Sequence, residues 1–272
     1  MTSLLENIKH HNTFYDIYIM VTNDFTNNNK DILYSIKKHY SNKCNITFVN
    51  MTNLFNEQQT STVSKYYRLA LHEKLKNIDK IIYLDGDTMI FEDLKEMYNL
   101  NMRGYYILGF LDNLFWALLE YGMKNAIVIN SGVILMDLKA LRNYNATDKF
   151  ESFMKSQNNS AIQEDQTIIN YVLQKHIYTL PPKYGMWAFN NFRVALEHNR
   201  VQNPSLRYNN KEFKYAFEHP AILHYTGAKP YKSKEAIHYS VWWNYAKKTD
   251  YYAKIYNYSL KYFNNSDFIK FS

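Results

Sequence analysis

Asp85 and Asp87 stand on either side of Gly86, directly after the apolar run Ile81-Ile82-Tyr83-Leu84. Residues two apart on an extended chain project to the same side, so both carboxylates can reach one cation. Paired hard oxygens with few other ligands suit Mg²⁺ or Mn²⁺ holding the phosphates of a substrate. Gly86 lets the backbone come close to a ligand. The same tripeptide also fits a surface turn, and its spacing alone leaves both readings open. Far downstream, His224 follows the apolar run Ala221-Ile222-Leu223, with Gly227 and Lys229 three and five residues later. A glycine for close backbone approach and a lysine as a point charge suit a phosphate. A lone histidine, however, is more often a core or surface residue.

The elements that must position these groups alternate in type. A short helix with Leu4, Leu5 and Ile8 is expected after an N-cap at Thr2. Tyr15–Val21 reads as a β-branched and aromatic strand, residues 31–39 as a helix, and residues 45–49 as a second strand. Residues 64–76 carry Tyr67, Leu71 and Leu75 at every fourth position, which predicts an amphipathic α-helix with Arg68 exposed on its side. That helix feeds the strand at residues 81–84. Such a short, continuous apolar run suits burial on both faces of a parallel sheet, delivering the acids at its carboxyl end. Helix resumes over residues 93–100. Two apolar runs, 126–129 and 133–136, flank Asn130-Ser131-Gly132; the interruption reads as a turn between strands or as groups aimed at a pocket. Asp148 and Glu151 form a possible capping box. Glu164-Asp165-Gln166 heads a further helix, where acids also suit the dipole. Strands alternating with helices imply an α/β sheet.

The totals narrow the class. The chain has 272 residues, 46% hydrophobic and 21% charged, enough for one α/β domain with a full core. A net charge of +7 favours anionic partners without choosing among them. One cysteine, Cys44, excludes an intrachain disulfide and points to a reducing compartment. The N-terminal residues lack the basic and apolar regions of a signal peptide, and the run from Tyr105 to Tyr121 is broken by Asp112, Asn113 and Glu120. The expectation is a soluble, cytoplasmic protein.

Four blocks in order resemble glycosyltransferase family 8, the retaining sugar transferases that include bacterial lipopolysaccharide galactosyl- and glucosyltransferases and glycogenin. Tyr67-Arg68-Leu69 ahead of the segment 79–87 is similar to the family's arginine helix and metal motif. Residues 130–138, 164–170 and 224–230 resemble its second, third and fourth blocks. The resemblance implies a GT-A nucleotide-binding α/β fold with a mostly parallel central sheet over residues 1–237, and a helical, aromatic and basic tail over 238–272. It implies that Asp85, Asp87 and His224 ligate Mn²⁺ (or Mg²⁺), that Gly86, Gly227 and Lys229 sit at the donor's diphosphate, and that Arg68, Asp112, Asn130, Asp165 and Gln166 line the donor sugar. The expected partners are UDP-glucose or UDP-galactose and a saccharide or glycolipid acceptor. Trp242, Trp243, the tyrosines and lysines of the tail suit a membrane headgroup interface, and equally suit terminal helices packed on the domain.

Family members carry a strand ahead of the helix at Leu4, central in their sheet. The resemblance therefore predicts a gap in the sheet of these 272 residues, where each buried unpaired backbone group costs about 1–3 kcal/mol. Tyr231 stands where the family usually has Trp. Two other readings are open. Asp-x-Asp also begins the haloacid dehalogenase phosphohydrolase motif, but that pattern wants Thr or Val where Met89 stands. A degenerate, non-catalytic nucleotide-sugar-binding or scaffold protein is the second. A nucleic-acid role fits the charge but no recognition module is present.

Overall fold

The computed structural model describes residues 1–9, 13–55, 63–112, 123, 126–157, 165–200 and 207–263. Helix α1 (Thr2–Glu6) is followed by β1 (Tyr15–Val21), α2 (Asn27–His39) and β2 (Cys44–Asn50). β1 and β2 pair in parallel, Tyr15 opposite Cys44 through Val21 opposite Asn50. Thr2 is the first helical residue rather than a cap, and its side chain makes no capping bond. Thr26 caps α2 by accepting from the Asn29 N–H, so this helix begins four residues before the expected start at Asp31.

The segment leading to the acids departs from expectation. Val63–Ala70 is a 3₁₀ helix that becomes α-helical only over α3 (Leu71–Lys74). Three residues per turn stack Lys65 under Arg68, whose Nε donates to the Lys65 carbonyl at 3.0 Å. Arg68 is therefore turned inward and is only 5% exposed. Strand β3 (Lys80–Leu84) follows, then β4 (Thr88–Ile90) and α4 (Lys95–Tyr98).

β5 (Ile107–Leu111), β6 (Ile129–Asp137) and β7 (Ile177–Thr179) complete a four-stranded sheet in the order β3-β6-β5-β7. β3, β5 and β7 run one way and β6 runs against them. The strand before the acids thus has an antiparallel neighbour, where a parallel one was expected. β5 and β6 are buried along nearly their whole length, whereas β3, expected to be buried on both faces, has only Tyr83 buried; Lys80, Ile81, Ile82 and Leu84 are half-buried because they line a cavity. Ile134 and Met136 pack on one face with Tyr66, Leu69, Phe150 and Ile169, while Val133 and Leu135 pack on the other with Leu4, Leu94, Met97 and Tyr184. Asn130-Ser131-Gly132 lies inside β6, not in a turn.

Helices α5 (Leu138–Asn143), α6 (Ala146–Ser156) and α7 (Asp165–Val172) cover the first face. Asn145, not Asp148, occupies the N-cap of α6, so the expected capping box does not form. A three-stranded sheet, β4-β9-β8, joins β4 to β8 (Tyr184–Trp187) and β9 (Ile222–His224), backed by α8 (Phe192–His198) and α9 (Asn210–Glu218). The tail folds as α10 (Tyr239–Lys247) and α11 (Tyr252–Leu260), with Trp243 buried among Tyr239, Trp242, Tyr252, Tyr256 and Phe263. Among the described residues no helix is long and apolar enough to cross a membrane.

β1 and β3 each have one paired edge among the described strands. Consecutive residues of both line a cavity of about 1080 Å³, Thr13–Thr22 on one side and Lys80–Gly86 on the other. This seam runs to Arg68, Asp85 and Gly86.

Candidate active site

Strand register brings the two acids to the histidine. β4 pairs antiparallel with β9 so that Thr88 lies opposite His224, and the Tyr225 N–H donates to the Asp87 carbonyl at 3.0 Å. His224 Nε2 consequently lies 3.1 Å from Asp87 Oδ1 and 3.7 Å from Asp85 Oδ2. One ligand atom from each of Asp85, Asp87 and His224 falls within 4.8 Å of the others. His224 is buried and its Nδ1 has no hydrogen-bond partner.

Room for this convergence comes from β6. A Cβ on Gly132 would meet His224 Cε1 at 2.2 Å and Asp85 Oδ2 at 2.6 Å. The Asp85 N–H donates to the Gly132 carbonyl at 2.7 Å, which continues the β3–β6 ladder past the strand end. Gly132 belongs to a quoted block but was not among the expected site residues; only the fold shows what it faces. Gly86 and Gly227 have open space where a side chain would stand, compatible with a ligand's approach.

Lys229 reaches Asp87, Nζ 2.5 Å from Oδ2, and also donates to the Tyr225 carbonyl. Burial works against the charged form of Asp87, but hydrogen bonds and charge from His224 and Lys229 outweigh it and hold the carboxyl at about 2.

Arg68 joins the acids to the next group. Nη2 donates to Asp85 Oδ1 at 2.9 Å, Nη1 to the Ser131 carbonyl at 2.5 Å, and Nε lies 3.0 Å from Asp165 Oδ2. Its guanidinium stacks 4.5 Å from the Tyr83 ring centroid, and the Tyr83 hydroxyl donates to Asp85 Oδ1 at 2.7 Å. Burial disfavours the arginine's charge, yet Asp165, Tyr83 and Asp85 raise its pKa. Burial also pushes the Asp165 carboxyl up, against the pull of Arg68 and a hydrogen bond from Ser131 Oγ at 2.9 Å. The buried Asp165 and the half-buried Asp85 hold the guanidinium in one orientation from two sides.

Gln166 is held at both ends of its amide. Oε1 accepts from Asn130 Nδ2 at 3.0 Å and from the Ser131 N–H at 3.2 Å, and Nε2 donates to Asp112 Oδ2 at 2.8 Å. α7 is anchored to β6 by Asn170, whose Oδ1 accepts from the Ile129 N–H and whose Nδ2 donates to the Ile129 carbonyl, both at 2.8 Å. Asp112 follows the end of β5, and its N–H donates to the Val128 carbonyl at 2.8 Å. The expected site residues with polar side chains therefore fall into two connected groups. Asp85, Asp87, His224 and Lys229 form the first; Asn130, Asp165, Gln166 and Asp112 form the second, with Arg68 between them. Glu164, expected at the head of α7, lies outside the described residues.

The sequence model described as Glycosyl transferase family 8 matches residues 1–235. The chain belongs to that family. Its curated relatives include General stress protein A of Bacillus subtilis, 26% identical over 65% of this chain and 62% of its own length. The Lipopolysaccharide 1,2-glucosyltransferase of Escherichia coli is 26% identical over 65% of this chain and 51% of its own length. The chain thus spans between about half and three fifths of these relatives. Among solved structures, the galactosyltransferase LgtC in complex with donor and acceptor sugar analogs superposes with a TM-score of 0.72 at 16% identity, covering 87% of this chain and 96% of that one. The bifunctional glycosyltransferase WbbM gives 0.75 at 19% identity, covering 94% and 48%. At such identities these two show the fold, which is the GT-A type expected of family 8.

Proposed function

We propose that this chain is a retaining, divalent-metal-dependent hexosyltransferase. It moves glucose or galactose from a UDP-sugar to a hydroxyl of a saccharide or lipid-linked saccharide in lipopolysaccharide or surface-glycan synthesis. The observation that carries this reading is the meeting of Asp85, Asp87 and His224 beside the Arg68–Asp165–Gln166 array. Two carboxylates and one imidazole match Mn²⁺ or Mg²⁺, and a glycine clears the space they share.

A bound divalent ion would supply positive charge to the diphosphate as it departs. Lys229 would add a second positive charge there, within reach of the ligand surface left open at Gly227. On the sugar side, Asp112, Asn130 and Asp165 fix the ring and support positive character at the anomeric carbon. Gln166 is the group the resemblance puts beneath that carbon. An amide is a poor nucleophile, and here its oxygen already accepts two hydrogen bonds. The reading is therefore departure of the diphosphate and attack by the acceptor hydroxyl on the same face.

The test is a donor screen with Mn²⁺, scored by UDP release. Turnover of one UDP-hexose that is abolished by chelation and returns with Mn²⁺ supports the reading. Release from no donor, with no thermal stabilisation by UDP and Mn²⁺, refutes it. The seam between β1 and β3 favours a second reading, since it opens onto Asp85 and Gly86: donor binding without turnover. Thermal stabilisation by UDP and Mn²⁺ without UDP release would select that one. Contact with anionic membranes through residues 238–272 belongs to the same proposal. Sedimentation with anionic vesicles at low salt tests it, and protein left in the supernatant would refute it.

A further inference from the structure

The end of β5 is gripped by groups that touch neither the acids nor the histidine. The Leu111 N–H donates to Tyr208 Oη at 2.9 Å. The Tyr208 backbone is in turn clamped by the buried side chain of Asn199, which donates to its carbonyl at 3.0 Å and accepts from its N–H at 3.1 Å. The residue before Asn199, His198, ends α8 and enters an aromatic cage. Its ring centroid lies 4.3 Å from Trp187, 5.3 Å from Phe189 and 6.4 Å from Phe110.

From that cage His198 Nε2 faces Asp112 Oδ1 at 3.6 Å, while the other carboxylate oxygen receives the Gln166 amide. Nε2 is buried and has no hydrogen-bond partner. A buried polar atom left without a partner is destabilising, and the group that Nε2 faces is the carboxylate that holds the Gln166 amide.

We propose that His198 is a positioning residue for the reaction. It orients Asp112, and through Asp112 the Gln166 amide, against the donor sugar. The chain His198–Asp112–Gln166–Asn130 then fixes a carboxylate and an amide with one set of contacts, and the cage prevents the imidazole from following any other partner. Burial lowers the His198 pKa, while the Asp112 charge and the Leu111 carbonyl raise it, so the two side chains already sense one another. The proposal rests on the transferase reading above.

The experiment is a double-mutant cycle on UDP release with His198→Phe, which keeps the ring, and Asp112→Asn. His198→Phe should lower kcat by about 10–100-fold with donor KM and melting temperature little changed. His198→Gln, whose amide reaches the Nε2 position, should recover most of the loss. The double variant should be no slower than Asp112→Asn alone. Wild-type kcat in His198→Phe, or penalties that multiply, would overturn the proposal. A second readout does not depend on turnover. The His198 imidazole, titrated by NMR, should fall by about one unit in Asp112→Asn. An unchanged titration would overturn the pairing even if no donor is turned over, whereas a shifted one in an inactive enzyme would count against the transferase reading alone.

Discussion

One carbon on Gly132 would collide with both His224 and Asp85. Gly132→Ala should therefore weaken Mn²⁺ binding by about 10–100-fold, read by metal titration, while the apolar core around β6 stays intact. Asp87 makes a prediction in pH. Its folded pKa of about 2 lies below the ordinary 3.8. A depressed carboxylate contributes stability that is complete above the ordinary value and is lost as pH falls through about 2. Lys229→Met removes one cause of the depression, so the Asp87 titration followed by carbon NMR should move upward and its acid transition should begin at higher pH. Arg68 is paired with the buried Asp165 and the half-buried Asp85. Arg68→Met should destabilise by about 3–5 kcal/mol in denaturant unfolding, because Asp165 is left buried and uncompensated. Arg68→Met combined with Asp165→Asn should recover much of that stability without recovering turnover.

Among the elements, β1 was legible to the residue. Tyr15–Val21 is rich in β-branched and aromatic side chains and is followed by Thr22-Asn23-Asp24, and nothing tertiary overrides it. Asp85, Asp87 and His224 stand at or beside strand ends, where local pattern and chemistry coincide, and their convergence matches what the resemblance implied. The helix expected over residues 64–76 was not, because a fourfold repeat of Tyr67, Leu71 and Leu75 is satisfied by a 3₁₀ turn running into an α turn. The winding difference decides that Arg68 points inward. β6 hid its polar residues for a related reason. Asn130 and Ser131 are buried because α7 and Arg68 satisfy them, and those partners are about 35 and 63 residues away. His198, Asn199 and Tyr208 had no local signal at all. The α7–β6 joint is testable on its own: Asn170→Leu should cost about 1–3 kcal/mol, since it unpairs both backbone groups of Ile129. The measurement is chemical denaturation.

At the scale of the molecule, the three largest apolar clusters among the described residues pack on the four- and three-stranded sheets, and the seam between β1 and β3 lies where the β1-β2 pair meets the four-stranded sheet. In a parallel pair, alternate amides of a strand point to opposite neighbours. Within β1, the amides bonded to β2 should resist hydrogen exchange, while the intervening ones, facing the seam, should exchange at rates near those of a loop. Uniform protection along β1 would show that the seam closes in solution. Phe150→Ala, in the cluster on the far side of the four-stranded sheet, should cost about 3–5 kcal/mol without altering that alternation.

The contact between Lys229 and Asp87 makes the protein its own counterion. A tethered ammonium neutralises part of the acid pair before any solute arrives, and under the proposed function a donor's pyrophosphate would compete for the same ammonium. Each incoming charge thus frees a seat for the other: the anion draws the lysine off the carboxylate, and the carboxylate becomes available to the cation. Loading should accordingly be cooperative, with Mn²⁺ binding several-fold tighter in the presence of UDP than in its absence, and reciprocally so.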